Sequence, residues 1–134
     1  MITVDEILKC ADKLPDAAVD FPFEGDFFTR VFRRNDNKKW FGIILRAPEK
    51  YFLRYLEEIP DDGVILDLKC PPDLAEFLKS KYPRGILPAY HMNKVHWITV
   101  ILTADIERGD IEQLIEISYN LADGKHKKQT QEKK

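Results

Sequence analysis

Cysteine is scarce, with Cys10 and Cys70 the only two in 134 residues. Two thiols, one of them in a stretch that reads as an amphipathic helix, cannot form a disulfide framework, and a reducing compartment fits better. Long apolar runs are missing as well. Nothing approaches the roughly 20 residues a membrane-spanning helix needs, and Met1-Ile-Thr-Val-Asp-Glu lacks the basic start and apolar middle of an export signal. The chain reads as soluble and cytoplasmic, with no membrane partner. Nor is there an excess of positive charge. Lys and Arg number 21 against 23 Asp and Glu, a formal charge of −2, whereas a domain covered in phosphate-seeking cations is usually basic. Glycine-rich phosphate loops, His-Glu-x-x-His and the Ser-His-Asp order are all absent. No cofactor, metal or catalytic residue set is expected, and a non-enzymatic protein is favoured.

What is present suits one core: a hydrophobic share of 44% over this length predicts a single domain spanning residues 1–124. Residues 125–134 contain five lysines and nothing to bury, which predicts a basic disordered tail. Thr3 and Glu6 form a capping-box signature for a first helix over about Thr3 to Leu14, which Pro15 stops. Asp16 to Asp26 reads as an irregular crossing whose Phe21 and Phe23 dip into the core. Phe27 to Arg33 and Lys39 to Leu45, separated by Asn35-Asp36-Asn37, read as a hairpin. Pro48 to Ile59 suits a short helix or turn, and Asp61-Asp62-Gly63 a turn before a strand over Val64 to Lys69. Pro71-Pro72-Asp73 opens a helix to about Lys81, ended by Tyr82-Pro83-Arg84-Gly85. Val95 to Leu102 is apolar enough for a central strand, and Gly109-Asp110 opens a last helix that Gly124 stops.

Two segments carry the chemistry. Between Arg30 and Arg54 eight bases face two acids, a local balance of 8 − 2 = +6. Arg30, Arg33, Arg34, Lys38 and Lys39, interleaved with Phe28, Phe32 and Trp40, could track a phosphate backbone, although solvated edge strands carry the same charge to prevent stray pairing. The second segment, Pro88 to Trp97, packs two imidazoles, an amide, an amine and a phenol into ten residues. His91 and His96 would share a side only if a turn intervenes, for which Asn93-Lys94 is suited, and two imidazoles fall short of a zinc set. They read first as hydrogen-bonding groups. Cys70, at a strand-to-helix junction beside Lys69, reads first as a small buried residue and second as an activated thiol.

The segment Gly85-Ile-Leu-Pro-Ala-Tyr-His-Met-Asn-Lys-Val-His-Trp-Ile-Thr-Val-Ile-Leu102 closely resembles the signature of the MmcQ/YjbR family. Asp20-Phe21-Pro22-Phe23, Leu68-Lys69-Cys70-Pro71, and Leu114-Ile115 with Ser118-Tyr119 resemble its other landmarks in order, over about residues 3 to 122. The resemblance implies a CyaY-like α+β fold, an antiparallel sheet with helices packed on one face, and the order read along the chain, α-β-β-(short helix or turn)-β-α-β-β-α, is compatible with it. It also implies a double-wing arrangement proposed to bind DNA, and it transfers no catalytic residues.

Three functional readings follow. A DNA-binding module would use Arg30, Arg33, Arg34, Lys38 and Lys39 with Asn93, Lys94 and His96 at a second wing. A binding or catalytic site for an anionic small molecule would gather Lys69, Tyr90, His91, Asn93, Lys94, His96 and Trp97 around a concave part of the sheet. An architectural interaction domain would use Asn93 to close a turn and Trp97 to fill the core. Oligomeric state is not legible in the sequence.

Overall fold

A computed structural model of the chain describes residues 1–123. The expected tail, and Gly124 as the stop of the last helix, lie outside the described residues. The order is α1 (Val4–Asp12), β1 (Ala17–Asp20), β2 (Arg30–Arg34), β3 (Trp40–Arg46), α2 (Glu49–Leu53), β4 (Val64–Lys69), α3 (Pro72–Lys81), β5 (Ile86–Pro88), β6 (Trp97–Ile101) and α4 (Arg108–Leu121). The six strands form one sheet in the order β1-β2-β3-β4-β6-β5, and every neighbouring pair is antiparallel. The fold is therefore α+β, as expected.

Local chemistry fixes most element ends. The Thr3 hydroxyl accepts from the Glu6 N–H at 3.2 Å and the Glu6 carboxylate accepts from the Thr3 N–H at 3.0 Å, so the capping box opens α1. Gly63 takes φ +67, a left-handed conformation that glycine adopts without steric cost, in the turn before β4. Prolines occupy the first turn of α3, where their missing N–H leaves no hydrogen bond unmade.

Residues 16–34 depart from expectation in three places. Residues 16–26 are not simply an irregular crossing, because Ala17–Asp20 forms edge strand β1 against β2. Phe21 and Phe23 do not enter the core; they are 51% and 47% exposed, with Phe23 edge-on to Trp40. The hairpin strand also begins at Arg30 rather than Phe27. Asp26 Oδ1 accepts from the N–H groups of both Phe28 and Thr29 at 2.8 Å, which commits that backbone to a turn.

Strand alternation divides the interior. On one face Phe32, Ile44, Leu66, Leu68, Ile98 and Val100 meet Ile7 and Ala11 of α1, Ala75 and Leu78 of α3, and Ile111, Leu114 and Ile115 of α4. Three helices thus share one face, as expected. Short α2 lies on the other, where Tyr51 and Phe52 pack with Ile65, Leu87 and Ile101. That second face holds the polar groups described next.

Candidate functional site: a cleft over a buried carboxyl

Within β4, Asp67 lies two residues from Ile65 and so shares the α2 face. The register sets it opposite Thr99 of β6, with Leu87 of β5 on the far side of Thr99. Asp67 is fully buried. The Thr99 hydroxyl donates to Asp67 Oδ1 at 2.5 Å and accepts from the Tyr90 N–H at 2.9 Å. Asp67 Oδ2 has no hydrogen-bond partner among the described residues. Burial disfavours the ionised form and raises the Asp67 pKa from 3.8 to about 7, against the opposing pull of the Thr99 hydrogen bond and the Lys94 charge. Tyr51 donates its hydroxyl to the Pro88 carbonyl at 2.6 Å. Burial holds its phenol well above the usual range, a shift that a Thr99 hydrogen bond opposes and the Asp67 charge reinforces.

Tyr51 and Lys94 also line a cleft of about 330 Å³ between the α2 segment and the β5–β6 connection. Pro48, Lys50, Arg54 and Tyr55 come from one side, and Ala89, Tyr90, His91 and Met92 from the other. Rings are concentrated here. The Tyr51 ring meets Tyr55 at 5.4 Å and Tyr90 at 5.1 Å between centroids, both near edge-to-face, and Tyr90 lies 4.0 Å from His91. None of the lining residues is acidic, while Lys50, Arg54 and Lys94 are cationic. His91 takes φ +63, a left-handed conformation that costs a side-chain-bearing residue free energy and recurs at functional sites.

A family model described as YjbR matches residues 12–121. The chain belongs to the YjbR family. It is 38% identical over 122 residues to the uncharacterized protein YyaQ of Bacillus subtilis, covering 90% of this chain and 98% of that one. It is also 37% identical to the uncharacterized protein YjbR of Escherichia coli K12, over 42% of this chain and 48% of the relative. Two solved structures share the fold. A Pseudomonas syringae protein matches at TM-score 0.75 and 35% identity, over 91% of this chain and all of the other. Deinococcus radiodurans protein DR2400, with a DUF419 domain, matches at TM-score 0.72 and 30% identity, over 94% and 82%.

Several YjbR landmarks prove to be architectural. Ser118 on α4 donates its hydroxyl toward the Lys69 carbonyl at 2.6 Å and the Leu114 carbonyl at 2.7 Å, and Tyr119 donates to the Pro15 carbonyl. Asn93 Oδ1 accepts from the N–H groups of Val95 and His96 at 2.8 and 3.2 Å, closing the turn into β6. Of the seven residues expected at a ligand site, Tyr90, His91 and Lys94 reach the cleft. The His96 side chain is exposed and lies outside the lining, and its carbonyl accepts from the Cys70 N–H at 2.8 Å. Trp97 is buried, with the Lys69 ammonium 5.8 Å from its ring, beside the cleft rather than in it. Cys70 is buried too, and desolvation pushes its thiol up to about 11, opposite to what a nucleophile needs.

The hairpin cations do not gather on one outer surface. Arg33 and Arg34 are consecutive in β2, so they point to opposite faces. Arg33 pairs with Asp20 and donates to Asn35 Oδ1 at 2.9 Å. Arg34 is 8% exposed; it pairs with Asp36, donates to the Tyr119 carbonyl at 3.2 Å and stacks 4.2 Å from the Tyr119 ring centroid. Its charge therefore serves the C-terminal end of α4, where Asn37 also donates to the Ala122 carbonyl at 2.7 Å. Arg30 sits over the Phe21 and Phe28 rings. Lys38 and Lys39 are exposed at the hairpin tip. Phe32, expected as an interleaved aromatic, is core.

Among the described residues no group of His, Cys, Asp and Glu could hold a metal ion, and no helix is long and apolar enough to cross a membrane. Sequence reasoning missed Lys50, Tyr51, Arg54 and Tyr55 as lining of the candidate cleft, and the buried Asp67–Thr99 pair beside it. A signal for Asp67 existed: one acid within the apolar run Val64-Ile-Leu-Asp-Leu is expensive to bury and points to a special environment.

Proposed function

We propose that the cleft between α2 and the β5–β6 connection binds an anionic small molecule. The observation that carries this reading is the lining itself: three cations from two separate chain segments, and no acid, around a concavity of about 330 Å³. Binding pockets combine an apolar or aromatic wall with a few convergent polar groups, and this volume is at the small end of their range. The unsatisfied Asp67 oxygen and the left-handed His91 backbone are the costs that functional sites tolerate and pure scaffolding removes.

The cleft is favoured over the DNA reading because Arg33 and Arg34 are engaged internally and Arg34 is buried. A thermal-shift screen of small organic acids and phosphate esters tests the proposal. Stabilisation by an anion, lost in Lys94→Ala and Arg54→Ala, is the expected result. Stabilisation that survives both substitutions, or its absence across the screen, would sink the proposal. Duplex-DNA binding that falls steeply with salt and disappears on Lys38→Ala/Lys39→Ala would instead restore the hairpin as the working surface.

A further inference from the structure

Resting on the anion-site reading, we infer that the ligand carries a planar aromatic ring attached to its acid group, so that the cleft selects aryl carboxylates or aryl phosphates over aliphatic anions of equal charge. The lining is richer in ring surface than charge capture requires. Phosphate or acetate would be held by Lys50, Arg54 and Lys94 alone, leaving the walls wet. Yet Tyr55 and Tyr90 are only half-buried and His91 is exposed, so each keeps ring surface toward solvent in the cleft.

The arrangement of these rings is fixed. Tyr51 is buried and tethered to the Pro88 carbonyl through its hydroxyl. Its ring holds Tyr55 and Tyr90 at 5.4 and 5.1 Å, each at an interplanar angle of 63°. Two rings both inclined to a third form a pre-ordered pair of walls, which an inserted ring meets without further loss of side-chain freedom. The cations lie at the same cleft. Lys50 and Arg54 are four residues apart at α2, hence on one side of it, and Lys94 comes from the β5–β6 connection. A ring between the tyrosines would leave its acid group within a field of positive charge from both segments. The volume favours one ring system with one acid group over a dinucleotide.

The test compares matched probes on the unmodified protein: benzoate against cyclohexanecarboxylate, and phenyl phosphate against cyclohexyl phosphate. Affinities and location are read together from amide chemical-shift titrations. The aromatic member of each pair is expected to bind about 3- to 10-fold tighter, the range a single ring contact supplies. Shifts should be confined to residues 48–55 and 89–94. Tyr90→Leu should close the gap between pair members, while Lys94→Ala weakens both alike. Equal affinities within each pair, with binding still lost in Lys94→Ala, would overturn the ring selectivity and leave the anion site standing. Absence of binding by all four probes up to millimolar concentrations would overturn both. Preference for phenyl phosphate over benzoate identifies the phosphate ester as the source of the anion, and the reverse identifies the carboxylate.

Discussion

The two faces of the sheet are built to opposite rules. The face covered by α1, α3 and α4 is an apolar layer whose buried polar groups are satisfied, Ser118 by carbonyls and Arg34, at its edge, by Asp36 and the Tyr119 carbonyl. The face beneath α2 is interrupted by Asp67 and Thr99, carries a carboxyl oxygen without a partner among the described residues, and opens into a cleft. The first arrangement maximises burial; the second accepts a desolvation cost. The cost is confined to one face because strand alternation lets β4 contribute Leu66 and Leu68 to one side and Asp67 to the other.

That contrast can be broken most forcefully at Leu66, which is fully buried on the three-helix face. Leu66→Ala is expected to destabilise the protein by roughly 3 to 5 kcal/mol through lost burial and the cavity left behind, measured by urea unfolding. Ligand affinity, referred to the folded fraction, should stay unchanged, and a loss of it would show that the two faces are not independent.

Asp67 sharpens the comparison from the other side. The folded protein keeps the Asp67 proton up to about pH 7, whereas an aspartate at its ordinary value of 3.8 has already released it. Between those values the folded state binds more protons than the unfolded state, so stability falls as pH rises. The favourable contribution is complete below about pH 4 and gone above about 7, a change on the order of 4 kcal/mol. Asp67→Asn should lack this slope. Thermal midpoints of the two proteins should therefore converge at acid pH and separate, with the asparagine variant higher, by pH 8. Parallel curves would mean that Asp67 is already ionised at acid pH. Anion affinity should likewise weaken as Asp67 ionises, because a carboxylate beside Lys94 competes for its charge.

Arg34 tests whether the hairpin charge belongs to the scaffold. It is buried against Tyr119 and the end of α4, so Arg34→Ala should cost about 2 kcal/mol, the scale of charged hydrogen bonds lost, without changing anion binding. A variant of native stability with reduced DNA affinity would reverse that assignment.

How far the sequence anticipated these faces depends on the kind of pattern involved. The capping box at Thr3 and Glu6, the proline opening of α3 and the apolar run of β6 are local signals, and the structure carries them. Strand β1 was not legible, because Ala17-Ala-Val-Asp20 is short and lies among acids and turn residues. The hairpin cations were misplaced for a simpler reason: net local charge ignores alternation, and adjacent Arg33 and Arg34 cannot share a face of a strand. The cleft was half legible. Pro88 to Trp97 announced itself by functional-group density, but its partners Lys50, Tyr51, Arg54 and Tyr55 lie some 35 residues earlier, and only the docking of α2 joins the two segments. Within the dense segment, Asn93 closes a turn and Trp97 is buried, as the architectural reading expects of both, and neither lines the cleft as the ligand reading expects.

His91 offers the smallest effect and the most direct reading of what the second face gives up. Its φ of +63 is costly for any residue with a Cβ and costs glycine almost nothing. The side chain makes no hydrogen bond or ion pair among the described residues and instead packs against Tyr90 in a tilted contact, with centroids 4.0 Å apart, at the cleft. If the backbone conformation were kept only for the turn, glycine would be the better residue. His91→Gly is therefore expected to stabilise the protein by about 1 kcal/mol, read from chemical denaturation, while weakening anion binding. His91→Ala keeps the backbone strain and removes the ring, so it should lose binding without gaining stability. If glycine raised stability and left binding intact, the imidazole would have no part in the site, and the strain at residue 91 would be a cost with no functional return.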